Sequence, residues 1–353
     1  MAVNWISLVG LVVISVPCIA LNLIVMTALY RNRHLHTITH VFIFSLAIAD
    51  LLVGAVNVPI YVAEQNNGHG TVLHCILSRS VTAFFILASV VHLLLIAIDR
   101  YIAITFPLRY PALMTKKRAV RGILVCWLLA IMAGFAPLFG WRKSEARDMG
   151  VVLERLCGYG AYMTLSYVMF MSILWYAIPV TIMLVLYGLI FCTASEHVKK
   201  IRDINRCVEP SRRIPTEANN PSGRSLGNTA PPTATVDQRK AAKVLCVTMG
   251  CFLVCTLPGL ICIVIDDATD GVTVPSIVSN FTNFIVFLNS ALNPLLYGVG
   301  NRQVRRSIQK LLSRRAKTAV VSANGVSFVQ TISAANRSES TVTLHANDSN
   351  MLV

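Results

Sequence analysis

Seven apolar stretches, each long enough to cross a bilayer, follow one another along this chain, near residues 5–30, 38–63, 73–105, 118–141, 164–195, 239–266 and 273–298. About 20 consecutive apolar residues span the hydrocarbon core as a helix. Lipid supplies no water to backbone amides, so each stretch must close its own hydrogen bonds, and a helix does so within one segment. The expected fold class is an all-α membrane protein, a seven-transmembrane helix bundle. A sequence of 353 residues that is 55% hydrophobic and 13% charged, with a mean hydropathy of +0.64, excludes an ordinary soluble domain. Met1 to Val3 carry no basic region and the first run continues to Tyr30. A retained span without an extracellular domain before it is therefore expected, rather than a cleaved signal.

Each stretch carries a feature that lipid penalises: in order Asn22, Asp50, Asp99-Arg100-Tyr101, Trp127, Pro179, Pro258 and Asn293-Pro294-x-x-Tyr297. Polar groups at membrane depth are costly and usually functional. Asp50, halfway along an apolar helix, must pair with a cation, take up a proton or sit in a hydrated cavity. Pro179 and Pro258 each remove a backbone donor, which frees the carbonyls of Trp175 and Val254 and bends the helix. The bends are either hinges or static fits to packing. His92 stands alone on span three and is expected to be a packing histidine.

Positive residues of short loops stay cytoplasmic. Arg31 and Arg33 follow span one, and Arg109, Lys116, Lys117, Arg118 and Arg121 surround the connection between spans three and four. The loop after span four, with Arg142, Lys143, Arg147 and Arg155, runs against the trend. The N-terminus is expected outside and the C-terminus inside, in a multi-pass protein of the plasma membrane. The formal charge of +15 then meets anionic lipid, and nucleic acid is not an expected partner. Within the receptor-like bundle of residues 1–298, residues 196–237 are charged and rich in Pro, Asn and Ser, a flexible third cytoplasmic loop. Over residues 299–316, Val304, Ile308, Leu311 and Leu312 recur among Arg302, Arg305, Arg306 and Lys310, the pattern of an amphipathic helix on the membrane surface or of a solvated basic tail. Residues 317–353 are expected to be a disordered cytoplasmic tail.

Only extracellular thiols meet an oxidising compartment. Cys75 opens span three and Cys157 precedes span five, the candidate pair for a disulfide over the mouth of the bundle; most other cysteines fall inside apolar helices as packing residues.

Asn22, Leu46-Ala47-x-Ala49-Asp50, Asp99-Arg100-Tyr101, Trp127, Pro179 with Tyr187, Phe252 with Pro258, and Asn289-x-x-x-Asn293-Pro294 occur in order along spans one to seven. In this the chain resembles rhodopsin-like (class A) G-protein-coupled receptors. Pro107-Leu108-Arg109-Tyr110, Pro137-Leu138-Phe139-Gly140-Trp141 and Ala241-Ala242-Lys243 look most like adenosine receptors. The class resemblance implies a receptor that converts an extracellular small-molecule ligand into activation of a heterotrimeric G protein, with arrestin and receptor kinases as further partners. It implies a coupling and switch set of Asp99, Arg100, Tyr101, Tyr187, Phe252, Pro258, Asn293, Pro294 and Tyr297, with Arg100 paired locally at rest. It also places Asp50, Ser89, Asn289, Ser290 and Asn293 around an allosteric sodium ion, for which hard oxygen ligands are suited; a hydrogen-bonded cluster without metal is the alternative. No other cofactor is expected.

Departures from the pattern bear on the ligand. Most relatives carry Trp two positions before the span-six proline, and here Thr256 stands there. The acidic partner of Arg100 expected at the start of span six is replaced by Gln238, preceded by Asp237. Adenosine receptors use Asn and His where this chain has Ile263 and Phe287, so adenine would lose its side-chain hydrogen bonds. Aminergic receptors use Asp where Thr82 stands, which leaves a cationic amine without its counter-ion. No lysine lies in span seven to form a Schiff base, which excludes an opsin. What remains is an apolar pocket of Thr82, Ala83, Ile86, Leu260, Ile263, Asn283 and Phe287, with Tyr159 as an aromatic wall, for a neutral or lipid-like molecule.

A transporter or channel would show internal repeats or paired midplane charges, and an enzyme would need a metal cluster or a nucleophile with its base; neither pattern is present, and no catalysis is expected. Ser338, Ser340, Thr341 and Thr343 are candidate phosphorylation sites, and Met351-Leu352-Val353 is a candidate peptide for a PDZ groove.

Overall fold

The computed structural model describes residues 5–67, 72–143, 163–208, 233–269, 274–300, 304–311 and 313. Cys157, Tyr159 and the tail motifs lie outside them, as do the side chains of Asp237, Gln238 and Tyr297.

The elements are α1 (Trp5–Arg31), α2 (Ile38–Leu52) and α3 (Val58–Asn67), α4 (Val72–Thr105), α5 (Tyr110–Leu113), α6 (Lys116–Gly134), α7 (Leu165–Phe170) and α8 (Ile178–Val208), α9 (Thr233–Ala268) and α10 (Ser276–Gly300). α2 and α3 form one span through a π-helical turn at Val53–Asn57, and α7 and α8 form another through a π-helical stretch at Met171–Ala177. Counted this way, seven helices make the bundle. Among the described residues five of them are long and apolar enough to cross a membrane on their own; α6 and α10 complete the set. α4 is central and packs on α2, α6 and α8, while α9 joins α8 to α10 and α10 returns to α1. Leu124, Leu128, Met132, Leu184 and Val185 leave apolar side chains on the outside, a surface suited to lipid.

Local chemistry explains the irregular points. A π-turn loosens backbone pairing, and side chains of α1 cover the carbonyls it leaves: Ser15 donates to Gly54, and the Cys18 thiol to Asp50 at 3.0 Å. Thr115 caps α6 by accepting from the Arg118 amide. Gly134 ends that helix against α4, where a Cβ would stand 2.7 Å from Phe84 Cα, so only glycine allows the approach. Gly140, at φ 111°, takes the left-handed conformation that closes the following 3-10 turn, Ala136–Phe139.

Three expectations are adjusted. Pro179 is not in a helix interior: it is the second residue of α8, where a missing N–H is tolerated, and the π-stretch before it absorbs the bend. Pro258 does lie inside α9. Helix α6 stops at Gly134 rather than continuing to residue 141, because Pro137 and Gly140 shape a tighter turn. Helices α8 and α9 extend into the segment read as a loop, since Ala, Glu, Lys and Arg favour helix without needing an apolar partner. Helical backbone recurs at 304–311, with Val304, Ser307 and Leu311 buried and Arg305, Arg306 and Lys310 exposed, an amphipathic pattern.

Candidate functional site: two buried carboxylates and an apolar cavity

At the C-terminal end of α4, Asp99 is wholly buried and its carboxylate is saturated with donors. Thr39 of α2 donates to Oδ2 at 2.6 Å, Tyr110 of α5 to Oδ1 at 2.7 Å, and Arg100 through Nε and Nη2 to Oδ2 at 3.0 and 2.7 Å. Arg100 Nη2 also meets the Thr39 hydroxyl. Arg100 is thus paired locally, its side chain 25% exposed. Thr39 and Tyr110 escaped the sequence reading as members of this site, because residues 60 and 11 positions from Asp99 give no local periodic signal. Burial, with Asp99 as acceptor, pushes the Tyr110 phenol up to about 12. Tyr101, by contrast, turns to Phe106, ring edge to face at 6.1 Å, and does not join the cluster.

Midway along the bundle Asp50 is also wholly buried. Asn293 Nδ2 donates to its Oδ2 at 2.9 Å, and Ser290 and Ser89 lie against the same carboxyl. Asn22 ties α1 to this point, donating to the Ser290 carbonyl at 3.1 Å and to that of Cys18 at 2.9 Å. Three buried oxygens, Asp50 Oδ1, Asn289 Oδ1 and Asn293 Oδ1, have no hydrogen-bond donor. Such oxygens suit a hard monovalent cation. The predicted set of Asp50, Ser89, Asn289, Ser290 and Asn293 therefore comes together in space.

His92 is the packing histidine expected. Its Nδ1–H faces the Ala88 carbonyl at 2.6 Å and its Nε2 the Ser45 hydroxyl at 2.8 Å, which in turn accepts from Trp127 at 3.0 Å.

Toward the other end of α4 lies a cavity of about 780 Å³, part of it open to solvent. Thr82, Ala83, Ile86, Leu260, Ile263 and Asn283 line it as predicted. Phe287 does not: it is buried with Val53, Phe85 and Val58, edge-on to Tyr61 at 5.4 Å. Tyr167, Met171, Trp175 and Tyr176 form the wall that sequence reading missed. The π-stretch at Met171–Ala177 shifts the helical phase, so a regular 3.6-residue period cannot say which face of this span looks inward. The wall holds no carboxylate or cation among the described residues. Thr82 gives its hydroxyl to Asn57 at 2.8 Å and to the Ser78 carbonyl at 3.0 Å. Asn283 donates to Tyr61 at 3.2 Å, Tyr61 donates to Asn280 at 2.7 Å, and above them Glu64 and Arg79 form a buried ion pair. Cys75, at the start of α4, is in a disulfide, and Cys157, its expected partner, lies outside the described residues.

Tyr187 is buried beside α9, and Phe252 stacks on Tyr176 with centroids 6.0 Å apart. Seven membrane helices, a locked arginine at one end and an apolar cavity toward the other define the class of seven-helix membrane receptors. Residues 21–297 match the family described as 7 transmembrane receptor (rhodopsin family), and the chain belongs to it.

Among similar proteins, the alpha-1A adrenergic receptor of Mus musculus is 28% identical over 305 residues, 82% of this chain and 64% of that receptor. The human alpha-1A adrenergic receptor is 28% identical over 307 residues, with the same shares. The octopamine receptor beta-2R of Chilo suppressalis is 31% identical over 317 residues, 86% of this chain and 78% of that receptor. The chain thus spans a little under two thirds of the length of the adrenergic receptors it matches. These relatives lend the narrower likeness to adenosine receptors no support. The segments behind that likeness serve local geometry instead: Tyr110 holds Asp99, and Pro137 and Gly140 shape a helix end.

The Tyr110→Phe substitution is expected to lower the stability of the purified protein by about 1 kcal/mol, the typical worth of one hydrogen bond. A raised phenol contributes fully below its ordinary value and loses its contribution only as pH rises through about 12. The loss should therefore be the same at every pH from mildly acidic to mildly basic. Thermal unfolding across that range checks it, and an unchanged midpoint contradicts it.

Proposed function

We propose that this chain is a G-protein-coupled receptor in which an extracellular small molecule, bound in the apolar cavity, shifts the bundle between two states, one of which engages a heterotrimeric G protein. The observation that carries this reading is the Asp99–Arg100 pair, held by Thr39 and Tyr110 at the end of α4 remote from the cavity. A guanidinium anchored by a buried carboxylate can be released as a unit when the helices around it part. The loop charges put that end in the cytoplasm, with the N-terminus outside and the C-terminus inside. Movement of α9 below Pro258 would open the cleft, with Tyr187 and Tyr297 reaching toward Arg100. Arrestin and receptor kinases are proposed to act on the tail.

A sodium ion is proposed at Asp50, where unfilled oxygens of Asp50, Asn289 and Asn293 adjoin the hydroxyls of Ser89 and Ser290. The ligand is proposed to be neutral, because the cavity wall offers apolar surface and already-bonded polar groups. Kinship with adrenergic and octopamine receptors favours an amine as the second reading. An amine needs an anionic partner, and Thr82 supplies none.

Three outcomes are expected. Arg100→Ala abolishes receptor-stimulated nucleotide exchange on purified G protein at equal surface expression, while thermal stability is retained; undiminished exchange would sink the coupling role. Replacing choline chloride with sodium chloride raises the unfolding midpoint of the wild type but not of Asp50→Asn, because only a native state with the intact site binds the ion; an equal rise in both discards the ion. In a direct-binding panel of neutral lipid-like compounds and biogenic-type amines, the wild type binds neutral compounds, and amines gain affinity only in Thr82→Asp. Tight amine binding to the wild type would establish the second reading.

A further inference from the structure

Adjoining the main cavity, on the side toward Asp50, is a second one of about 310 Å³, and Ile86, Thr256 and Val286 line both. Thr256 occupies the junction, where a bulky tryptophan would act as a plug. Its hydroxyl is already used, donating to the Phe252 carbonyl at 2.7 Å and paired with the Tyr176 hydroxyl at 2.9 Å. The junction therefore makes no polar demand on a molecule that passes it.

The second cavity has walls from Phe85, Phe252 and Phe287 and closes on Ser89, Asn289 and Ser290. Asn289 is 4% exposed, and its Oδ1 has no donor. In the main cavity Trp175 keeps a buried indole Nε1–H without an acceptor. Buried polar atoms without partners are rare in folded proteins and call for a missing group. Here an unmet donor and an unmet acceptor belong to two cavities that share an apolar junction.

We propose that the ligand is an elongated neutral amphiphile that fills both cavities. An oxygen of its head accepts from Trp175 Nε1–H, an alkyl chain passes Thr256 and Val286, and a terminal hydroxyl or amide N–H donates to Asn289 Oδ1. An amide oxygen has two lone pairs, so Asn289 serves the ligand and the Asp50 cluster together. This rests on the neutral-ligand reading and deepens it by assigning length and end groups. A compact ligand confined above Thr256 would leave the second cavity and the Asn289 oxygen unused.

The test uses the full-length receptor purified in detergent and a series of N-alkylacetamides of increasing chain length, ending in methyl or hydroxyl, with affinity read by calorimetric titration. In the wild type, affinity rises about fourfold per methylene, the worth of burying one such group, until the second cavity is full. At that length the hydroxyl-ended compound binds more tightly than the methyl-ended one. In Thr256→Trp the short members keep their affinity and the longer ones gain nothing. Val286→Phe narrows the same junction from α10 and gives the same truncation, which keeps the test open where Thr256→Trp does not fold. A series that climbs unchanged in a folded, plugged variant, or that levels off at the junction in the wild type, overturns the two-cavity proposal and leaves the neutral-ligand reading standing. Equal affinity of hydroxyl-ended and methyl-ended compounds at full length overturns the Asn289 contact. Binding of amines in place of every acetamide overturns both.

Discussion

Two carboxylates with no exposure to solvent sit inside this helix bundle, and how each satisfies its oxygens sets what the rest of the structure can do. A buried carboxylate without partners costs several kcal/mol or more, so it must be fed donors, protonated or given a cation. Asp99 is fed: Thr39, Tyr110 and Arg100 occupy both of its oxygens, drawing α2, α4 and the short α5 to one point. Asp50 is only partly fed, by Asn293, and stands among amide oxygens that lack donors. The first arrangement is closed and holds a guanidinium in place. The second is open to a further ligand.

Between Asp50 and the main cavity the bundle lacks a tryptophan plug. Thr256 and Tyr176 replace bulk with a hydrogen bond, and the space that results runs between Phe85, Phe252 and Phe287 toward Asn289. Apolar walls and spent polar groups continue along this path, while the charges at the top, Glu64 and Arg79, neutralise each other. The kinship with adrenergic and octopamine receptors describes the frame, and the residues lining the cavity describe a different guest.

Lipid made the frame legible from the sequence. Long apolar runs cannot be anything but helices in a bilayer, and the polar residue in each run marked Asp50, Asp99, Arg100, Asn289 and Asn293 before any coordinates. Partners supplied by other elements were not legible, which is why Thr39 and Tyr110 were absent from the predicted site. The inward face of the fifth span was hidden for a different reason: a π-helical stretch changes phase without leaving a compositional mark, so Trp175 and Tyr176 came as findings. Phe287 was misplaced because position relative to Asn293 fixes helical phase but not depth, and it packs beside Tyr61 and Phe85 instead of lining the main cavity. The adenosine-like segments misled because they encode turn geometry, which unrelated ligand preferences can share.

The central claim is that a bundle locked at Asp99–Arg100 has a second state in which α4 and α9 separate. Pulsed electron resonance measures it directly, with spin labels on Lys117→Cys of α6, which packs against α4, and on the exposed Cys246 of α9, in a background without other reactive thiols. Adding nucleotide-free G-protein heterotrimer to the receptor in nanodiscs should populate a longer distance alongside the resting one. A single distance distribution, unchanged by the heterotrimer, would contradict the account.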